Sequence, residues 1–165
     1  MKVLLRPWGN SDAEQLATLA NNPKIGGNLT NRFPYPYTLS DANGFIAMTQ
    51  SSDFVHIFAV EADGQLVGGA GVHPKDDIDC KNLEIGYWIG EPFWGRGIAT
   101  DAVRLLVEFG WKNYDVTRIY ARVFGPNIGS MRVVEKLGFQ LEAHLKQTLF
   151  KNNAFLDEHI YALRR

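Results

Sequence analysis

Cysteine is almost missing from this chain: Cys80 is the only one in 165 residues. That excludes an intrachain disulfide framework and fits a reducing compartment. Excess charge of either sign is missing as well. With 17 Lys and Arg against 18 Asp and Glu, the formal net charge is -1, and nucleic-acid binding would call for a clear basic excess. No apolar run approaches the roughly 20 residues of a spanning helix, and the start MKVLLRPWGNSD carries an apolar stretch too short for a signal peptide. The expectation is a cytoplasmic protein with no nucleic-acid and no membrane partner. His56, His73, His144 and His159 show no metal-ligand spacing with Cys80, so no metal is expected. Repeats, low-complexity tracts and dividing linkers are also lacking, and residues 1–165 are expected to form one domain. What is plentiful is core material: 45% of the residues are hydrophobic and 12% aromatic, too rich for disorder.

Periodicity lays out the elements. Val3 to Arg6 reads as a strand, followed by a helix capped by Ser11 or Asp12 that turns Leu16, Leu19 and Ala20 inward. An irregular stretch from Lys24 to Thr38 precedes a helix from Ser40 to Met48. Phe54 to Glu61 and Gln65 to Val72 form a hairpin about Asp63-Gly64. Gly68, Gly69 and Gly71 within it mark a bulge or a close backbone approach. Asn82 to Gly90 is a strand, and Ile98 to Trp111 a helix with Ile98, Ala102, Leu105, Leu106 and Phe109 at helical spacing. Arg118 to Val123 is a strand, Ile128 to Leu137 a helix closed by Gly138, and Phe139 to Leu149 pairs with Phe155 to Leu163. The order β-α-α-β-β-β-α-β-α-β-β suits a mixed α/β sheet covered by helices on both faces.

The segment GYWIGEPFWGRGIAT, Gly86 to Thr100, carries the chemistry. A buried strand breaks at Glu91-Pro92, turns through Gly95 and Gly97, and enters a helix. Such a turn aims unpaired backbone N–H groups and the positive end of a helix dipole at one spot, which suits an anion and above all a phosphate. Glycines permit the positive φ angles and the close approach that this needs. A Walker A loop is excluded, because Arg96-Gly97 stands where Lys and Ser or Thr belong; a dinucleotide fingerprint lacks its third glycine at Thr100.

Trp94-Gly95-Arg96-Gly97-Ile98-Ala99 resembles the acyl-CoA signature Q/R-x-x-G-x-G/A of the GNAT superfamily of N-acetyltransferases, with tryptophan in the first position. The block from Asn127 to Phe139, NIGSMRVVEKLGF, resembles the N-x-x-S-x-x-x-x-E-K-x-G-F of its RimJ/RimL-like branch, which acetylates protein N-termini and some small amines. The resemblance spans essentially the whole chain and is weakest from Lys24 to Thr38. It implies an α/β (α+β) fold: a single-domain, mixed and mostly antiparallel sheet of about seven strands, split between the fourth and fifth, with helices on both faces. It also implies acetyl-CoA as acyl donor, a small-molecule amine or a protein N-terminus as acceptor, and room for a homodimer. Backbone N–H groups of Gly95, Arg96, Gly97, Ile98, Ala99 and Thr100 would hold the pyrophosphate, and Arg96 could also reach a phosphate. Asp101 would point away from it. Trp88, Ile89 and Gly90 would pair with the pantetheine arm, beside a bulge near Gly90-Glu91-Pro92 that splays the strand. Asn127 would bond the pantetheine, cap its helix, or do both.

Acetyl transfer requires a neutral amine, a stabilised carbonyl oxyanion and a stabilised leaving thiolate. At pH 7, neutralising a lysine of pKa ~10.4 costs about 4.6 kcal/mol, and an N-terminal amine of pKa ~7.7 to 8.0 only about 1 to 1.4 kcal/mol. Glu84 occupies the glutamate position that many such enzymes use as base. Leu83, Ile85 and Trp88 are expected to raise its pKa toward the working pH, the alternative being a solvated strand residue. Backbone N–H groups near Ile89 would meet the oxyanion. Val134 stands where many relatives have a tyrosine acid, which leaves Ser130 as thiolate stabiliser or as a helix residue bonded to backbone. Arg32, Phe33 and Tyr35, with Tyr37, would wall the acceptor site or merely cover a sheet edge. Asp157 and Tyr161 line the acceptor groove or pack. Cys80 lies outside both blocks, against a covalent enzyme intermediate. The reading is direct transfer from thioester to amine; a different class, an acyl-CoA-binding sensor without productive transfer, stays open because of Val134.

Overall fold

The computed structural model describes residues 1–51 and 56–165. Seven strands form one sheet in the order β1-β2-β3-β4-β5-β7-β6. They are β1 (Val3–Arg6), β2 (His56–Ala62), β3 (Gln65–Pro74), β4 (Asn82–Ile89), β5 (Arg118–Phe124), β6 (Gln140–Lys151) and β7 (Ala154–Arg164). Five helices accompany them among the described residues: α1 (Ala13–Ala20), α2 (Pro23–Gly26), α3 (Leu39–Ser51), α4 (Ile98–Asn113) and α5 (Ile128–Lys136). The expected order of elements is observed with one addition, the helical turn α2. Phe54 and Val55, the expected start of the second strand, lie outside the described residues. The stretch read as irregular contains one helical turn, α2, whose Asn22 caps it by accepting from the Lys24 N–H. α3 starts earlier than expected because Thr38 and Asp41 bond each other reciprocally through backbone and side chain at its N-terminus.

Two cores sandwich the sheet. α4 packs on β1, β3 and β4, and α5 on β5 and β7; they cover Val72, Leu83, Ile85, Ile89, Ile119 and Ala121. On the other face α1 lies against β3 and α3 against α1, enclosing Trp8, Leu16, Tyr37, Ile46 and Leu66. Alternation along β4 sends Leu83, Ile85, Tyr87 and Ile89 to the α4 side and Trp88 to the other. Trp88 fits there because Gly69 opposite it lacks a Cβ, which would fall 2.8 Å from the indole Nε1. Asp63 and Gly64 both take positive φ, 48° and 82°, the two-residue turn that hairpin β2–β3 requires.

Every strand pair is antiparallel except β4 with β5. Those two pair in parallel from Asn82 opposite Arg118 to Ile85 opposite Ala121, and then part. Beyond that point β4 keeps its partner β3 through Ile89, and β5 keeps β7 through Phe124. The expected split is present. Its expected cause, a bulge near Gly90-Glu91-Pro92, is not: the register of β3 with β4 runs unbroken to Ile89, and the parting begins at Gly86. After Ile89 the chain leaves the sheet through a single 3-10 turn, Glu91–Phe93. No helix among the described residues is long and apolar enough to cross a membrane.

Asp12 does not cap α1 through its side chain. Its carboxylate takes both terminal nitrogens of Arg6, each at 2.8 Å, and the Gly9 N–H at 2.9 Å. Arg6 also reaches Glu61 at 2.6 Å, so one guanidinium ties β1, β2 and the approach to α1 together. The Arg6 hydrogen bonds, against the opposing effect of burial, hold the Asp12 carboxyl below its ordinary pKa. A depressed carboxyl pKa stabilises the fold above the unfolded value of about 3.9 and loses that contribution as pH falls through the folded value. Asp12→Asn should cost about 2 to 3 kcal/mol in urea unfolding at pH 7, less than a fully buried pair because Arg6 is partly solvated, and the deficit should shrink in acid. An equal deficit at pH 3 and pH 7 would refute the ion-pair account.

Candidate functional site

The parting of β4 from β5 opens into a cavity of about 680 Å³, closed by α2, by the turn before α4 and by one face of α5. The turn is built by two glycines. Gly95 and Gly97 sit at φ 74° and 79°, where a side chain is strained, and a Cβ on either would meet nothing within 4 Å. Gly97 is the N-cap of α4, and the helix makes its first backbone bond from Asp101 N–H to Gly97 C=O. Among the described residues nothing accepts a hydrogen bond from the N–H groups of Gly95, Arg96, Gly97, Ile98, Ala99 or Thr100. All of these residues line the cavity. A row of free donors at a 16-residue helix's positive end can hold a multiply charged anion. Asp101 is drawn onto Arg104 at 2.7 Å, along the helix rather than toward the ligand space. The Arg96 guanidinium rests 5.6 Å from the Phe93 ring centroid, at the cavity wall.

Four cationic side chains line the cavity, Lys24, Arg96, Arg132 and Lys136, and no Asp, Glu or His does. Arg132 and Lys136 are missed by sequence reasoning, although their one-turn spacing after Asn127 puts them on one face of α5. Lys24 is paired with Glu91, which also accepts from Asn22, so α2 is fastened to the 3-10 turn that follows β4.

The free edge of β4 offers its own groups. Gly90 donates to Val67 C=O at 2.8 Å. In an antiparallel ladder alternate residues bond opposite sides, so Trp88 and Gly90 face β3, and Tyr87 and Ile89 turn N–H and C=O into the gap. Trp94 Nε1 donates to the Ile89 C=O at 2.6 Å and leaves the Ile89 N–H available. Of the expected edge residues, Ile89 is thus well placed and Trp88 lines the cavity without offering its backbone. Gly90 is a correction: its N–H is taken, Leu19 packs over it, and it does not line the cavity.

Asn127 does two things. Its side-chain oxygen caps α5 by accepting from Ser130 N–H at 3.2 Å, and the residue also lines the cavity. Ser130 lines it too, with its Oγ 2.6 Å from the Tyr87 hydroxyl. Tyr87 is the third residue that sequence reasoning missed; its signal is a phenol on the inward face of β4. Burial, against the opposing Ser130 hydrogen bond, pushes this phenol up to about 12.

Glu84 departs from expectation. Burial works to raise its pKa, but the Lys75 ammonium at 2.6 Å, the Tyr120 hydroxyl at 3.1 Å and the Arg122 charge outweigh it, and the carboxyl is held below its ordinary value. The apolar neighbours Leu83 and Ile85 point to the other face of the strand. Glu84 does not line the cavity.

A second cavity of about 310 Å³ lies on the far side of α2, between the 27–38 loop and the β6–β7 turn. Phe33 and Tyr35 line it, with Lys151 bonded across to Asn31 at 3.2 Å; Arg32 is exposed and lines neither cavity. Phe33 also packs 5.7 Å from Trp88. Asp157 accepts from His144 and from the Gln147 N–H, and Tyr161 donates to Glu135 on α5; neither lines either of these two cavities.

Val134 is fully buried between α5 and the sheet, facing away from the cavity. Val134→Tyr should therefore overpack the core, with a loss of about 1 to 3 kcal/mol in urea unfolding. Wild-type stability in that variant would mean that this face of α5 is open.

Residues 2–140 match the model of the acetyltransferase (GNAT) domain. A Bacillus subtilis protein named as the uncharacterized N-acetyltransferase YoaA is 27% identical over 98% of this chain and 93% of its own length. The ribosomal-protein-serine acetyltransferase of Escherichia coli is 29% identical over 70% of this chain and 64% of its own. The crystal structure of the Microcin C7 self immunity acetyltransferase MccE, in complex with acetyl-CoA and AMP, superposes with a TM-score of 0.83 at 25% identity, covering 99% of this chain and 93% of that one.

Proposed function

The chain belongs to the GNAT family of acetyltransferases, and from that premise we propose that it moves the acetyl group of acetyl-CoA directly onto the α-amino group of a protein or peptide, as a member of the RimJ/RimL-like branch. The observation that carries this reading is the cavity's lining: free N–H donors and cationic side chains for a polyanionic cofactor, and no Asp, Glu or His among the lining residues to serve as a strong base. A lysine acceptor would need a strong base, whereas an α-amine is largely neutral near pH 8 without one. The Escherichia coli relative, named for a ribosomal-protein serine, points the same way.

In this reading the Gly95 to Thr100 amides hold the pyrophosphate, with Arg96 beside it. The Ile89 N–H meets the carbonyl oxygen as charge develops on it, a preorganised donor at an unpaired strand edge. Asn127 holds the pantetheine while capping α5. The Ser130 hydroxyl stabilises the departing thiolate. Glu84, an ionised carboxylate of depressed pKa, is a weak base and serves an amine that needs little help. The loop with Arg32, Phe33 and Tyr35, against the β6–β7 turn, walls the approach of the acceptor. Residues 1–165 act as one catalytic domain, and the lone exposed Cys80 suits the cytoplasm.

Two measurements test the reading. Gly97→Ala places a methyl group in the ligand's space, so calorimetric affinity for acetyl-CoA should fall about tenfold or more, while the left-handed φ costs the apo fold only about 1 to 2 kcal/mol. Unaltered affinity would remove the cradle. In the second, single-turnover transfer at pH 7 should favour a peptide with a free N-terminus over an Nα-blocked lysine peptide by about 200- to 400-fold, the ratio of their neutral fractions. The rising limb of its pH–rate profile should follow the acceptor's pKa of ~7.7 to 8.0, because Glu84 stays ionised through that range. Glu84→Gln should change the rate by no more than about twofold across that range, because the wild-type limb already follows the acceptor's own ionisation. A lysine preference, or a limb independent of the acceptor, would overturn the α-amine assignment; binding of acetyl-CoA with transfer to no amine would mark a sensor.

A further inference from the structure

Tyr87 and Ser130 form a two-hydroxyl couple at the cavity wall. Tyr87 Oη lies 2.6 Å from Ser130 Oγ and 3.2 Å from the Ser130 carbonyl oxygen. Among the described residues these are the only partners of the phenol, which is held on the inward face of β4 just past the point where β5 departs. Each hydroxyl owns one proton, so the couple has two arrangements. In one, Tyr87 donates to the Ser130 carbonyl and Ser130 donates back to Oη, leaving only serine lone pairs toward the cavity. In the other, Tyr87 donates to Ser130 Oγ, which frees the serine proton to point into the cavity.

We infer that Tyr87 is a positioning residue for the leaving group: by donating to Ser130 Oγ it turns the serine proton toward the departing sulfur as negative charge gathers there. The inference rests on the proposed site, in which Ser130 faces the thioester. The first arrangement would oppose lone pairs to a forming thiolate, and the second presents a donor, so charge on sulfur selects the second. Tyr87 need not give up its proton. At about 12 its phenol is a weaker acid than a thiol of pKa ~8.5, so a tyrosinate is not formed at the thiolate's expense. The chemical balance is complete without it. The amine nitrogen bonds to the carbonyl carbon, the C–S bond breaks with its electron pair on sulfur, and the proton shed by nitrogen accounts for the proton gained by the thiol. The hydroxyl couple starts and ends in the same protonation state.

The test is a cycle of Tyr87→Phe, Ser130→Ala and the double variant, read by single-turnover transfer from acetyl-CoA to a short peptide with a free N-terminal serine, beside calorimetric acetyl-CoA affinity. Each single variant should slow transfer about tenfold or more with affinity within about twofold, because the interaction strengthens only in the transition state. The double variant should be no slower than the slower single, since the two hydroxyls act as one unit. A Tyr87→Phe enzyme as fast as wild type, or defects that multiply, would overturn the inference and leave the functional reading intact. Transfer by no form, wild type included, would overturn both. Should Tyr87→Phe fail to fold, 3-fluorotyrosine at position 87 keeps the ring and its bonds and changes only acidity. A rate that shifts with that acidity at unchanged affinity supports the role, and an identical rate overturns it.

Discussion

The loss of pairing between β4 and β5 after Ile85 is the constraint on which the rest of the molecule depends. A sheet that stayed zipped would satisfy Tyr87 and Ile89 with β5 and leave no room between the strands. Because β3 holds β4 and β7 holds β5, each strand continues with its outer partner, and the wedge between them stays open. The exposed backbone of β4 then becomes a recognition edge, as at any unpaired strand. The helix that follows β4 starts at the mouth of the same wedge, so strand edge and helix dipole converge on one space.

Charge is sorted around that space. Among the residues lining the cavity the cations are retained and the acids are absent. Asp101 is bound by Arg104, Glu91 by Lys24, and Glu84 by Lys75 on the other face of β4. Each carboxylate that the sequence places near the signature is neutralised outside the cavity. A polyanion entering it meets Arg96, Arg132 and Lys136 with no acid among the lining residues, and the Lys24–Glu91 pair fastens α2 as one side of that wall.

Much of this was legible beforehand because it depends on local rules. Gly95 and Gly97 announced a left-handed turn into a helix, and alternation along β4 assigned its faces. The split was legible only through resemblance, and its cause was misplaced: Glu91-Pro92 looks like a breaker, yet the parting begins at Gly86, five residues before Glu91, where β4 stays with β3 and β5 with β7, which is a non-local matter. Glu84 was misjudged for the same reason. Its sequence neighbours are apolar, but in a strand neighbours point to the opposite face, and its real surroundings come from Lys75, just past the end of β3, and from Tyr120 and Arg122 on β5. Tyr87 and Ser130 are far apart in the chain, so no spacing could join them. Gly90 is adjacent to Ile89 in the chain, but the ladder sends their backbone groups opposite ways.

The asymmetry of the site bears on what it can acetylate. Everything built into the cavity addresses the cofactor, the oxyanion or the leaving group, and nothing in it is tuned to strip a proton from the nucleophile. Deprotonating a lysine at pH 7 would cost about 3.2 to 3.6 kcal/mol more than deprotonating an α-amine, and a carboxylate of depressed pKa cannot supply that difference. An acceptor that arrives partly neutral removes the need. Preorganised hydrogen bonds to oxygen and sulfur then suffice, since they act where charge develops and require no change of protonation state in the protein. The missing base, on this account, is a statement about the acceptor's own acidity rather than a defect in the catalyst.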